Sequence, residues 1–233
     1  MGKLFDIRLV FEYLPQLLSR LHITLLIVLL ATVIGIFLGM ILALFRIYKI
    51  PILNQISIVY ISFMRGTPII VQMFIVYYGL PVLFMLIGID INKWDKLFFV
   101  IITYGLNAAA FMAEVIRSAI ISVSIGQTEA AYSVGMTRIQ TFHRVVAPQA
   151  LLIALPSLST NMVGLLQDSS IAFSLGIIDV MGKAQTIGAR TYHTLEGYIG
   201  SALIFLVLSI LVEKGCTVIE KKVTYKKIIG DGR

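Results

Sequence analysis

Four ionisable side chains lie within apolar stretches of this sequence and are its first candidates for chemistry: Arg65, Glu114, Arg117 and Asp168. A charge near the centre of a membrane helix costs about 2.5–3.5 kcal/mol, so such groups survive inside a helix bundle or beside water. Glu114 and Arg117 are three residues apart and can neutralise one another on one helix face. Asp168 has no opposite charge within a helical turn. These residue types predict a hydrated cavity inside the bundle, although Arg65 can instead extend to the membrane surface.

Amide side chains extend two of these positions into polar helix faces. Asn161, Gly164 and Asp168 are separated by helical spacings, and Asn107 begins a similar face that leads to Glu114. Two helices with such faces can line one hydrated cavity. The alternative is that these polar groups only hold helices together, which is the favoured interpretation for Asn161 alone but not for Asp168.

Motifs for bond-breaking chemistry are not found in this sequence. It has three histidines, and it contains neither a G-x-S-x-G nor an H-E-x-x-H pattern. The stretch Gly176–Ala184 imitates a phosphate-binding loop, but its glycines are one residue too far apart and Ala184 stands where Ser or Thr must hold magnesium. Cys216 is the single cysteine, and no Cys/His cluster offers metal ligands. We therefore expect no catalytic site and no metal site, and any nucleotide must bind to another chain.

The composition is that of an integral membrane protein with one domain. Hydrophobic residues make up 58% of the 233 residues and charged residues only 13%, with a mean hydropathy of +0.95. The net charge of +7 raises the question of nucleic-acid binding, but six of the 19 lysines and arginines follow residue 213, after the last apolar run. That distribution predicts a cytoplasmic anchor and no nucleic-acid partner.

The apolar runs predict an all-α membrane protein with five transmembrane helices, at about 21–45, 68–86, 97–121, 151–176 and 198–220. Residues 1–20 have the pattern of an interfacial segment. Arg65 to Pro68 divide a long apolar region into an approach helix and a span. The polar stretch from Asp179 to Glu196 predicts a loop. The basic tail predicts a cytoplasmic C-terminus, an external N-terminus and a multi-pass protein of the cell membrane.

The longest polar interruption, residues 122–148, predicts a helical hairpin on the cytoplasmic side. Ser124 and Gln127 have the spacing of a capping box that starts a first helix, and Gly135 ends it. Thr137 and Gln140 repeat the box and start a second short helix, which we expect to end at Pro148. The apolar stripe of this hairpin requires a partner surface, either on its own bundle or on another protein.

The hairpin residues resemble the cytoplasmic EAA motif of the membrane subunits of binding-protein-dependent ABC importers. Glu129, Ala130, Ala131, Gly135 and Pro148 match that motif, while Val145 and Ala147 replace its usual Ile and Leu. Four further stretches resemble the polar amino acid subgroup of the family: Phe63–Gln72, Asn107–Arg117, Ser122–Gln127 and Leu165–Ala172, the last with Gln167 in place of the usual lysine.

The resemblance implies a type I ABC importer permease that works by alternating access together with other chains. The expected partners are a second permease copy or a paralogue, two cytoplasmic ATPase subunits that bind the ATP and Mg, an extracellular solute-binding protein and membrane lipid. It implies that the hairpin is a coupling helix, for which the candidates are Glu129, Ala130, Ala131, Gly135, Arg138, Arg144 and Pro148. It also implies cavity candidates for a polar amino acid, namely Arg65, Gln72, Asn107, Glu114, Arg117, Asn161, Gln167, Asp168 and Ser169.

Within the subgroup, the stretches YISFMRGTP and SSIAFSLG are most similar to cystine-type permeases, so L-cystine is the favoured substrate. Two other classes of protein stay open at this stage. One is an ATP-independent channel or secondary transporter, in which Glu114 and Asp168 relay protons or ions. The other is a membrane anchor that docks a cytoplasmic enzyme through the hairpin.

Overall fold

The computed structural model describes the backbone of residues 5–230 and the side chains of residues 5–222, and every regular element in that range is a helix. The α-helices are α1 Ile7–Leu18, α2 Leu21–Ile47, α3 Leu53–Gly66, α4 Ile69–Met85, α5 Lys96–Ile121, α6 Ile125–Ser133, α7 Arg138–Thr141, α8 Ala147–Asp168, α9 Val180–Thr191 and α10 Thr194–Gly230. A π-helical turn, Phe142–Val146, joins α7 to α8, and a 3-10 segment, Ser169–Leu175, follows α8.

Within the described residues, four helical stretches are long and apolar enough to cross a membrane: Leu21–Ile47, Lys96–Ile121, Arg138–Leu175 and Thr194–Lys222. The pair α3 and α4 would be a fifth crossing if the two helices formed one span. They are bent by 116° relative to one another. Thr67 and Pro68 form the break with extended backbone angles, because the proline ring disfavours a helical conformation at the residue before it. We call this bend the elbow.

The centre of the bundle is the contact of α2 with α5, where small residues let the two helices approach closely. A Cβ atom added to Gly35 would lie 2.7 Å from the Cβ of Ala108, and one added to Gly39 would lie 3.0 Å from the backbone nitrogen of Ala113. Small residues favour this close packing between helices in lipid. As a result α5 is enclosed by α2, α4 and α8, and its Tyr104 is fully buried.

The N-terminal segment and α9 form a smaller cluster against α10. Tyr13 and Leu17 of α1 pack with Val180 and Ile187 of α9 and with Ile204 of α10. This packing gives the predicted interfacial segment a defined partner. Lys3 of that segment, and the side chains of Lys226 and Lys227 in the basic tail, lie outside the described residues.

The predicted loop from Asp179 to Glu196 is wrong, because the stretch contains α9 and the start of α10. Asp179 is the N-cap of α9, and its carboxylate accepts a hydrogen bond of 2.9 Å from the backbone N–H of Gly182. Tyr192, in the left-handed conformation, ends the helix. The stretch is polar enough to be taken for a loop, but its few apolar residues lie on one side and are buried against α1 and α10.

The predicted end of the second hairpin helix at Pro148 is also wrong, because the chain continues through the π-helical turn into α8. Proline cannot donate an i to i−4 hydrogen bond, and its ring crowds the carbonyl group four residues earlier. Here the turn before Pro148 is widened, so that the N–H of Ala147 donates to the carbonyl of Phe142, five residues back. The second helix of the hairpin is therefore continuous with a membrane-spanning helix.

Candidate solute cleft and coupling hairpin

A cleft of about 140 Å³ lies between α5 and α8 and has both polar and apolar walls. Asn107 of α5 lines it together with Asn161 and Asp168 of α8. The structure thus brings together three of the predicted cavity residues, although Asn107 lies 54 or more positions before the other two in the sequence. The remaining lining residues are Ala108, Phe111, Met112, Thr160, Gly164 and Leu165.

Asp168 is half-buried at the last position of α8, where the helix tightens into the 3-10 segment. Its backbone carbonyl accepts a hydrogen bond of 2.6 Å from the Tyr104 hydroxyl, which fixes the end of α8 to α5. Its side-chain carboxylate accepts no hydrogen bond from the described part of the chain. The position of the carboxylate is therefore set by the backbone, and its oxygens can accept hydrogen bonds from a solute.

Gln72 does not line the cleft but lies behind its wall, where it is almost fully buried. Its Nε2 donates to the Met64 carbonyl and to the Thr67 hydroxyl, each at 2.8 Å, across the elbow between α3 and α4. Its Oε1 accepts a hydrogen bond of 2.9 Å from the Nδ2 of Asn107. Gln72 thus connects the elbow to a residue that lines the cleft.

Glu114 and Arg117 form the local pair that their spacing predicts, with 2.9 Å between Glu114 Oε2 and Arg117 Nη2. Arg46, near the end of α2, also contacts Glu114. The three side chains are 20–28% exposed, and none of them lines the cleft. Arg46 was not among the predicted site residues.

Arg65 is exposed and reaches the cleft only through another residue. Its guanidinium carbon lies 5.5 Å from the centre of the Phe111 ring, within the range of a cation–π interaction. Phe111 lines the cleft, so Arg65 lies beside its aromatic wall. Neither Phe111 nor Thr160 was predicted as a site residue, although Phe111 is four residues after Asn107, a spacing that places both on one helix face.

Two other candidate residues lie away from the cleft. The Gln167 side chain is exposed and is not part of the lining. Ser169 is fully buried, and its hydroxyl donates to the Leu166 carbonyl at 2.6 Å. Both positions follow from helix geometry, because the residues next to Asp168 in sequence point to different sides of the helix.

The hairpin begins with α6, which carries Glu129, Ala130 and Ala131, and the turn after this helix contains Gly135. Ser124 is at the N-cap position, but its side chain accepts no capping hydrogen bond, so the first predicted capping box is not formed. Gly135 has a φ of +82°, its N–H donates to the Tyr132 carbonyl, and the N–H of Met136 donates to the Ala131 carbonyl. This pair of hydrogen bonds is a Schellman motif, which requires a residue that tolerates positive φ.

The second capping box of the hairpin is formed as predicted. The Thr137 hydroxyl accepts from the backbone N–H of Gln140, and the Gln140 side chain accepts from the backbone N–H of Thr137. Of the other coupling candidates, Arg138 is the first residue of α7, Arg144 is exposed in the π-helical turn and Pro148 is in the first turn of α8.

Apolar side chains on the hairpin are exposed where a soluble loop would carry polar ones. Val134 is 75% exposed and Ile139 is 73% exposed, on either side of the Gly135 turn. Exposed apolar residues that lie together on a polar segment are typical of a protein interface.

The sequence from residue 35 to residue 225 matches the model of the family described as "Binding-protein-dependent transport system inner membrane component". The chain belongs to this family. It is 46% identical over 223 residues to the L-cystine transport system permease protein TcyL of Bacillus subtilis (strain 168), covering 96% of this chain and 93% of that protein. It is 42% identical to the probable amino-acid ABC transporter permease protein PatM of Vibrio harveyi, covering 86% and 88% of the two chains.

The same family appears among solved structures. A crystal structure of an amino acid ABC transporter with histidines superposes with a TM-score of 0.81 and 32% identity, covering 94% of this permease and 99% of that chain. The inward-facing MetNI methionine ABC transporter, at 20% identity and a TM-score of 0.68, shares the fold. These relatives establish an amino-acid ABC permease of the type I importer fold, which is a multi-pass membrane subunit rather than an enzyme.

Proposed function

We propose that this permease is the membrane subunit of an ATP-driven, binding-protein-dependent importer of polar amino acids, with L-cystine as the favoured substrate. The observation that carries the proposal is the cleft between α5 and α8, where Asn107, Asn161 and Asp168 face one space. The identity of 46% to an L-cystine permease supports the choice of substrate.

The chemistry of the cleft suits a zwitterion. The carboxylate of Asp168 and the side-chain oxygen of Asn107 can accept hydrogen bonds from an α-ammonium group. The amide of Asn161 donates one N–H to the Ser157 carbonyl and keeps the other for a solute carboxylate. Phe111 and Met112 provide an apolar wall for the rest of the solute. The surroundings have a lower dielectric constant than water, so each of these polar contacts is stronger than it would be in solution.

The route by which ATP hydrolysis reaches the cleft follows α8. The hairpin continues through the π-helical turn into α8, and α8 carries Asn161 and Asp168. Movement of the hairpin by an ATPase would therefore move one wall of the cleft relative to α5. In this proposal the ATP and Mg are bound by two cytoplasmic ATPase subunits, this chain binds neither, and the cavity opens alternately to the two sides of the membrane.

The complete importer, in this proposal, also contains a second permease copy or a paralogue and an extracellular solute-binding protein. The C-terminus and the hairpin face the cytoplasm, and the N-terminus lies outside. The clustering of lysines after residue 213 supports this orientation. The exposed Val134 and Ile139 offer the apolar contacts that an ATPase groove would cover.

The test is uptake of labelled L-cystine into proteoliposomes that contain the permease and its ATPase, with ATP inside and the solute-binding protein outside. We expect uptake only when both ATP and the binding protein are present. Uptake that needs neither component, and instead follows a proton or ion gradient, would favour the channel or secondary transporter. The pairing of Glu114 with two arginines speaks against that rival, because an ion-paired carboxylate is a poor proton relay.

A further inference from the structure

A second cavity lies nearer the hairpin than the solute cleft, along the same two helices, α5 and α8. It is a groove of about 340 Å³ between α2, α5 and the junction of the π-helical turn with α8. Ile36 and Met40 of α2 form one side, Ile116 and Ile120 of α5 another, and the groove is apolar apart from His143. Nothing in the solute pathway proposed above uses this groove.

The depth of the groove comes from small side chains. Ala119 of α5 and Ala147, Ala150 and Ala154 of α8 form its floor, where larger residues would fill the space. An acyl chain is flexible and apolar along its length, so it can follow the irregular space between the helices and match its apolar lining.

The groove opens onto a surface that faces lipid. On α2 the side chains of Leu29, Val33 and Phe37 are exposed, and Ile36 and Met40 continue this apolar surface into the groove. Water does not fill an apolar cavity of this kind, and an empty one loses the dispersion contacts of its lining. An acyl chain from the surrounding membrane restores those contacts.

One basic residue lines the groove, and a second one follows it in the chain. His143 lines the groove and is exposed, and Arg144, the next residue, is exposed as well. No acidic residue occurs between Glu129 and Asp168. A phosphate group at this position could accept a hydrogen bond from the His143 ring and pair with the Arg144 guanidinium, without an opposing carboxylate from the same segment.

We propose that this groove is a binding site for an anionic phospholipid, with one acyl chain between α2, α5 and α8 and the phosphate beside His143 and Arg144. The site contacts both the π-helical turn and the start of α8, so a bound lipid fills the space between the hairpin and the bundle. The proposal concerns this chain alone and does not depend on the substrate or on ATP.

Fluorescence quenching by brominated lipids tests the proposal in nanodiscs that contain the full-length permease. Trp94 is the only tryptophan, so Trp94→Phe gives a background without fluorescence from other indoles. In that background, Leu151→Trp reports on the groove and Leu29→Trp reports on the open lipid surface. Brominated phosphatidylglycerol and brominated phosphatidylcholine are compared at equal, low mole fraction.

At the groove position we expect phosphatidylglycerol to be enriched over phosphatidylcholine by roughly fivefold, the factor that one basic side chain near an anionic surface confers. At Leu29→Trp the two lipids should quench equally. The double variant His143→Gln, Arg144→Gln changes two exposed residues and should abolish the preference at the groove. Arg190→Gln, which removes a charge at a different pocket, should preserve it.

Two results would overturn the proposal. Equal quenching by both lipids at Leu151→Trp would show that the groove does not select an anionic headgroup. Quenching at Leu29→Trp without quenching at Leu151→Trp would show that protein covers the groove, either a second copy of this chain or another subunit.

Discussion

The side-chain amide of Asn107 donates a hydrogen bond of 2.9 Å to the side-chain oxygen of Gln72, and this contact joins the solute cleft to the elbow between α3 and α4. Asn107 lines the cleft. Gln72 donates hydrogen bonds to the carbonyl of Met64 and the hydroxyl of Thr67 at the elbow. The residues are 35 positions apart and belong to different helices. A change in the cleft at Asn107 therefore has a direct structural path to the elbow.

Replacing Gln72 with Leu should destabilise the protein by about 1–2 kcal/mol, because the partners of the amide are left unpaired in a buried place. The measurement is the thermal unfolding midpoint of the permease in nanodiscs. Gln167→Leu is the matched control, since that glutamine is exposed and outside the cleft. Equal midpoints for the two variants would contradict the importance of the Gln72 contacts.

Replacing Asp168 with Asn should raise the KM for amino-acid uptake about tenfold or more, because a buried charge-assisted hydrogen bond contributes about 1.5–3 kcal/mol. The backbone contact of residue 168 with Tyr104 is kept, so the amount of permease in the membrane should not fall. The KM is measured from the kinetics of uptake into proteoliposomes. Gln167→Glu is the control, because it changes the charge at the exposed residue next to Asp168. A wild-type KM for Asp168→Asn would leave this residue with a structural role only.

Replacing Gly135 with Asp should reduce ATP-dependent uptake strongly while the protein still inserts into the membrane. The φ of +82° at this position disfavours any side chain, at a cost of about 1 kcal/mol, and the turn between the two hairpin helices depends on it. A Cβ atom here would meet no neighbour within 4 Å, so the effect would come from backbone strain and the new charge rather than from crowding.

The control for the hairpin is Gly126→Asp, which adds the same charge to α6 at a position without positive φ. Uptake and ATPase activity are measured for both variants. We expect Gly135→Asp to keep ATP hydrolysis but lose uptake, and Gly126→Asp to retain most of both. If the two variants behaved alike, the turn geometry would have no special part in coupling.

The stability of the protein should fall as the pH rises from about 4 to about 6, because of Asp179. Burial raises the pKa of its carboxyl to about 6, although hydrogen bonds from Gly182 and Thr24 oppose the shift. The unfolded chain has an Asp pKa of about 3.9, so the folded state binds the proton more tightly over this range. The contribution of Asp179 to stability is therefore complete below the unfolded pKa and is lost as the pH rises through the folded pKa.

The Asp179→Asn variant should lose this pH dependence and keep its helix cap, because asparagine is an equally good N-cap residue. The measurement is the thermal midpoint at several pH values. Asp95→Asn serves as the matched control, because Asp95 also caps a helix but is exposed, and this variant should show the wild-type fall. If the thermal midpoint of Asp179→Asn still fell over this pH range, another titratable group would be responsible for the fall.

Local patterns in the sequence predicted several features that the structure contains. The Thr137–Gln140 capping box and the Gly135 turn follow from contacts within six residues, so the sequence was sufficient for them. The apolar runs likewise led to an all-α membrane fold, which the family match and the superposed structures confirm. The α9 helix was missed because its stability comes from packing on α1 and α10, which lies outside any local pattern.

The same distinction between local and tertiary features applies to the candidate site. Helical spacing predicted that Asn161 and Asp168 share a face and that Glu114 pairs with Arg117, since both depend only on the geometry of one helix. The sequence alone could not show that Gln72 faces the elbow, that Arg46 joins Glu114, or that Gln167 is turned away from the cleft. Those relationships depend on where separate helices cross and in which register, and only the tertiary structure decides this. The sequence by itself determined a helical membrane protein with a capped hairpin, because hydrophobicity and short-range hydrogen bonds specify these features, and its motifs carried the resemblance to the permease family.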